Sequence, residues 1–206
     1  SPCAGIFLSD ELVDAFPVHV LEFSDGRIRE LYVDGSGAES LGELSTPMLA
    51  AHALRLAETL LEEGARHAVN LDAECWLGAV AGRLTAGAVM TIDYGKRFGR
   101  SPNAPRAFFR HSQPTELTRR MGEQDLTASV DFDELIASGD RMGLKVEFYG
   151  SLSRFLIDGG IADWMPTGDS AFEIRSRSKI KTLFHPEGMG EAFKVLIQSP
   201  RGGLPS

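Results

Sequence analysis

Two short, mostly apolar runs that each end in acid set the strongest limit on how this chain folds. Residues 5–8 (Gly-Ile-Phe-Leu) lead into Asp10 and Glu11, and residues 88–92 (Ala-Val-Met-Thr-Ile) end at Asp93. Runs of this kind suit strands buried on both faces, as in a parallel sheet. Parallel strands need long crossovers, usually helical, and their ligands sit beyond the carboxyl ends of the strands. The acids at 10, 11 and 93 therefore stand where chemistry is expected.

The rest of the pattern fits an α/β chain with a mixed sheet. Ser9 is placed to cap a short helical piece over 10–15, stopped by Pro17. Alternating residues 18–23 and 27–33 flank Ser24-Asp25-Gly26, a hairpin signature. Residues 34–45 are rich in Gly and Ser and predict a loop. Thr46 followed by Pro47 predicts a helix start, with Leu49, Ala53, Leu56 and Leu60 at helical spacing. A further helix is predicted over 73–84 and a long loop over 95–107. Asp131 and Glu134 open a helix to about residue 142 as a capping-box-like pair. Strands are predicted over 145–149 and 193–198, and helices over 151–157 and, with a helical lean, 173–184. The chain is expected to be a single domain over 1–206, with a hairpin insertion at 18–33 and a loop-rich insertion at 95–130.

Composition removes several functions. The 206 residues carry a net charge of −8, a poor match to the phosphate backbone of nucleic acid. No run approaches the ~20 apolar residues of a membrane-spanning helix. Cys3 and Cys75 are too few for a disulfide framework or a four-cysteine zinc site, and a reducing compartment fits. The histidines at 19, 52, 67, 111 and 185 show no ligand spacing, so no metal is expected. Neither a G-x-S-x-G elbow nor a P-loop is present.

Four ordered motifs carry a family resemblance. They are LSDELVDAFPVH at 8–19, VMTIDYG at 89–95, GEQDLT at 122–127 continuing to VDF at 130–132, and MGE at 189–191 with FKVL at 193–196. Together they span nearly the whole chain. On them the sequence resembles the MidA-like family of S-adenosylmethionine-dependent methyltransferases, which includes a mitochondrial complex I assembly factor that methylates arginine. The resemblance implies a Rossmann-like methyltransferase fold with a mixed sheet, N-terminal strands missing, and added hairpin and helical elements. The family's glycine-rich cofactor segment has no match here, so the chain is expected to be the C-terminal part of such an enzyme. It also departs from the family at Asp10, where Asn is usual, at Ser129, where His is usual, and at Leu152, where Gln is usual. These departures leave room for an alternative, a non-catalytic assembly or binding module that keeps the fold.

The resemblance implies S-adenosylmethionine as cofactor and a protein substrate, such as a respiratory complex subunit. It implies a cytoplasmic protein, or a mitochondrial matrix protein in a eukaryote. A truncated sheet would expose an edge, so self-association to a homo-oligomer is also expected. Carboxylates match the planar, forked guanidinium with paired hydrogen bonds and accept the proton released on transfer. Glu11, Asp10 and Asp93 are the expected catalytic groups. Asp14, Tyr94, His111, Gln124, Asp125 and Thr127 are the expected substrate-binding groups, and Ser9 and Asp10 the expected cofactor contacts.

Overall fold

The computed structural model describes residues 1–60, 62–110, 112, 117–118, 120, 122–184 and 189–202. Along the chain come strands β1 (Cys3–Asp10), β2 (His19–Ser24), β3 (Arg27–Val33) and β4 (Glu39–Gly42), then helix α1 (Ala50–Thr59) behind a 3-10 turn at Pro47–Leu49. Next are β5 (Arg66–Val69), α2 (Leu71–Ala81), β6 (Leu84–Lys96), β7 (Arg106–Phe108), β8 (Asp125–Thr127), β9 (Val130–Asp131) and α3 (Phe132–Arg141). The chain closes with β10 (Leu144–Ser151), α4 (Leu152–Asp158), α5 (Ala171–Phe184), α6 (Met189–Ala192) and β11 (Phe193–Pro200). This is the mixed α/β content expected from the sequence. The residues form two compact units: a first of 1–13, 77–96 and 136–206, and a second of 14–76 and 97–135.

In the first unit the strand order is β1-β6-β11-β10. β1 and β6 are parallel, with Ser9 opposite Thr91 and Asp10 opposite Ile92, so β1 ends beside Ile92 while β6 runs on to Lys96. β11 pairs antiparallel with both β6 and β10, which makes the sheet mixed. Val89, Val195, Leu196 and Leu144 are buried in it. Gly87 lets β1 and β6 close on each other. Its φ is +109°, and a Cβ there would stand 1.9 Å from the Gly5 carbonyl oxygen.

Two expectations are corrected here. β1 is not buried on both faces: it is the edge strand, and Ile6 and Leu8 are 72% and 62% exposed. Nor is there a helix over 10–15. Strand pairing runs on through Asp10, the Glu11 amide donates to the Ile92 carbonyl at 3.1 Å, and Glu11 takes a left-handed φ of 49° that no right-handed helix tolerates.

In the second unit four antiparallel strands run β4-β3-β2-β5. The β2–β3 hairpin turns through Asp25 and Gly26, both at positive φ (52° and 76°), as a two-residue turn that follows strand twist requires. β4 lies within the segment expected to be loop, pairing Glu39 with Val33. Loop composition did not predict it because its stability comes from the neighbouring strand. Likewise β7 and β8 pair within 95–130, with Arg106 opposite Thr127. The core is Leu21, Leu49, Leu56, Leu60, Val69 and Leu71. Thr46 accepts from the Met48 amide at 3.4 Å and starts the turn before α1, as its place before Pro47 predicts.

Candidate functional site

The first unit presents acids where the parallel pairing of β1 with β6 stops. Asp93, at 0% exposure, accepts the Val13 amide through Oδ2 at 2.9 Å and the Tyr94 amide through Oδ1 at 2.8 Å. Its carboxylate therefore pins the turn that follows β1 onto the end of β6, and a buried charge needs such partners. Asp10, the last residue of β1, and Glu11, the first of that turn, are exposed. Tyr94 is half-buried, with its ring edge-on to Phe193 at 6.2 Å. Ser9 is buried, and its hydroxyl is bonded to the Thr91 hydroxyl at 3.3 Å. Ser9 thus ties two strands together.

The second unit holds a cavity of about 510 Å³. Asp14, Phe16, His19, Leu31, Leu126 and Thr127 line it, among others. Asp14 and Thr127, both expected from the sequence, are brought together here. Burial pushes the Asp14 carboxyl above the usual range, hydrogen bonds from its own amide and that of Ala15 pull against this, and the Asp125 charge adds to the rise. Gln124 instead donates to the Leu117 carbonyl and holds its loop. His111 lies outside the described residues.

His19 and Glu30 belong to this wall and did not stand out in the sequence as functional. Glu30 is 4% exposed. His19 Nδ1 lies 2.7 Å from Glu30 Oε1, and the Ser45 amide and hydroxyl donate to Glu30 at 2.5 Å and 3.0 Å. Against an ionised carboxylate, Nδ1 carries the proton. Burial pushes the Glu30 carboxyl up, but the hydrogen bonds from His19 and Ser45 outweigh it and hold it below the usual range. The signal was strand alternation: Glu30 shares a face with Ile28. An acid at an inward position needs a partner.

A further polar cluster joins His52 of α1, Glu74 of α2 and Glu134 of α3, whose candidate ligand atoms lie within 4.8 Å of one another. The geometry is that of an ion-pair cluster. Each ring nitrogen faces a different carboxylate, Nε2 to Glu74 at 2.9 Å and Nδ1 to Glu134 at 3.2 Å, and Arg55 adds a cation 2.6 Å from Glu134. Burial opposes the charged imidazole, but hydrogen bonds to Glu134 and Glu74 raise its pKa to about 9. Glu134 is thus a partner of His52 and Arg55, while Asp131 caps α3 by accepting the Asp133 amide at 2.9 Å.

Comparisons with known proteins bear on the family and the fold. Residues 1–150 match the family described as "Putative S-adenosyl-L-methionine-dependent methyltransferase". The chain is 29% identical over 199 residues to the zebrafish (Danio rerio) mitochondrial protein arginine methyltransferase NDUFAF7, covering 92% of this chain and 46% of that protein. It is 27% identical over 219 residues to the Drosophila melanogaster homolog, covering 95% and 47%. A crystal structure of a Burkholderia thailandensis protein bound to S-adenosyl-homocysteine superposes with a TM-score of 0.82 at 25% identity, over 98% of this chain and 56% of that one. A second structure, of an uncharacterized protein from B. thailandensis, gives 0.81 at 26% identity, over 96% and 56%. The chain spans about half the length of the curated relatives it matches.

Proposed function

Because the chain belongs to this S-adenosyl-L-methionine-dependent methyltransferase family, we propose that it takes part in methyl transfer to an arginine of a protein substrate. The observation that carries the reading is the pair of exposed acids, Asp10 and Glu11, at the carboxyl end of β1, where its parallel pairing with β6 stops. That is where ligands of such sheets bind.

The residues present fit the roles as follows. Glu11 faces the acceptor: its carboxylate matches the guanidinium fork and takes the proton that leaves the methylated nitrogen. Asp10 is the exposed acceptor available to hydroxyl or amino groups of the cofactor, a role that suits it and not Ser9, whose hydroxyl is bonded to Thr91. When bound, S-adenosylmethionine supplies a sulfonium methyl group. Asp93 acts through its grip on the backbone, as a positioning residue, and the left-handed Glu11 is held in place by that grip and by the Ile92 carbonyl. Tyr94 borders the same strand end. The names of the relatives, protein arginine methyltransferase and mitochondrial, support arginine as the acceptor and the mitochondrion as the place in a eukaryote; the matrix, and the cytoplasm elsewhere, are the finer form of this proposal. Among the described residues no helix is long and apolar enough to cross a membrane. A respiratory complex subunit is the finer form of the same proposal.

A second reading, a binding module without transfer, draws on two positions. Leu152 is buried, and the Ser129 hydroxyl accepts from Arg106 at 2.7 Å. Incubation with methyl-labelled S-adenosylmethionine and arginine-containing proteins, followed by amino-acid analysis, separates the two. Labelled methylarginine is the expected product, and its absence favours the binding module.

A further inference from the structure

Helix α5 of the first unit buries none of its 14 residues. Ser176, Arg177 and Ile180 are half-buried, and the Phe184 carbonyl accepts from the Ser153 hydroxyl of α4 at 2.8 Å. The other side is open and carries large apolar groups beside cations. Phe172, Arg175, Lys179 and Leu183 are all exposed, and they recur at helical spacing, so they share a face. Phe172 is 71% exposed. Trp164, 79% exposed, ends the 3-10 turn Ile161–Trp164 that precedes α5. Arg177 donates to the Pro166 and Gly168 carbonyls, which ties the segment after Trp164 to α5.

Charge selects the partner. Of the α5 cations, Arg177 is engaged with those carbonyls and with Asp169 at 3.8 Å. Among the described residues the side chains of Arg175, Lys179 and Lys181 make no ion pair or hydrogen bond. The one acid of the helix, Glu173, is bonded to the Ser170 hydroxyl. The helix is thus basic in a chain whose net charge is −8. The core of a protein–protein interface is depleted of lysine, so Lys179 set between Phe172 and Leu183 suits such a core poorly. It suits a lipid headgroup layer. There, long basic stems lie along apolar surface while their heads reach phosphate, and tryptophan sits at the boundary. At ~1.5 Å per residue α5 is about 21 Å long, short of a hydrocarbon core of ~30 Å, so it would lie flat.

We propose that the open face of α5, together with Trp164, docks on a membrane surface rich in anionic lipid. Phe172, Leu183 and Trp164 enter the headgroup boundary, and Arg175, Lys179 and Lys181 meet lipid phosphates. The inference stands apart from the methyl-transfer reading and does not rest on it.

The test is co-sedimentation of the chain with vesicles of phosphatidylcholine alone and with vesicles that also contain phosphatidylglycerol. The expected result is binding about tenfold tighter to the anionic vesicles, weakening as salt is added. Reversing two charges together, Arg175→Glu with Lys179→Glu, removes that preference. Phe172→Ser weakens binding and leaves its salt dependence in place. All three residues are exposed, so the variants should unfold at the wild-type temperature. Equal binding to the two vesicles, binding to neither, or an unchanged preference in the double variant overturns the proposal. Binding to soluble polyglutamate without binding to vesicles overturns it as well, and makes the face a docking site for an acidic protein.

Discussion

The acids beside the end of β1 in the first unit and those of the polar clusters in the second are used in opposite ways. In the second, acids are matched to cations and donors: Glu30 to His19, Glu39 to Arg66, Glu74 and Glu134 to His52 and Arg55. In the first, one buried acid, Asp93, binds backbone amides and leaves Asp10 and Glu11 exposed at the strand ends. An acidic composition alone therefore locates nothing. What marks a candidate site is an acid presented at a strand end by a neighbour that is itself fully occupied.

The sharpest way to break this comparison is to remove the buried acid of the first unit. Asp93→Ala leaves the Val13 and Tyr94 amides without their acceptor and should cost about 3 kcal/mol in urea denaturation. A loss below about 0.5 kcal/mol would show that Asp93 does not hold the turn. Next in size is Gly87→Ala, whose methyl group would collide with the Gly5 carbonyl. A loss of about 2 kcal/mol is expected, with β1 amides exchanging faster than β10 amides. Unchanged exchange in β1 would contradict the close approach.

The second unit offers a pH test. The folded His52 pKa of about 9 lies above its ordinary 6.5, so its clamp contributes fully below pH 6.5 and is lost as pH rises through about 9. Wild-type stability should fall across that window, and His52→Gln should flatten the fall. Parallel slopes for the two proteins would show that the cluster is not held by an imidazolium. The smallest effect concerns the exposed edge. Ile6→Lys should reduce self-association measured by light scattering, with little change in stability. A wild-type chain that stays monomeric across concentration would remove the premise.

Much of the fold was legible in the sequence because local chemistry determined it. The Asp25-Gly26 turn, the Thr46-Pro47 start and the apolar run ending at Asp93 each carry their structure in a few residues. β4 and β8 were hidden because short strands take their stability from the strand they pair with and not from their own residues. Ser9 and the helix expected after it misled for a related reason. Serine before acids reads as a cap, yet pairing with β6 extends the strand through Asp10 and gives the Ser9 hydroxyl to Thr91. At the candidate site, acids at strand ends were visible, whereas the partner that buries Glu30 was not. His19 and Ser45 meet it only once β2 and β3 are paired and the segment after β4 returns.

The central claim is that Glu11, presented by the Asp93-held turn, orients the acceptor. It is tested most directly by methylarginine formation with the wild-type chain and with Glu11→Gln, both checked for equal stability. The account predicts transfer by the wild type and a fall of about a hundredfold in the variant. Equal transfer by the two proteins would contradict it.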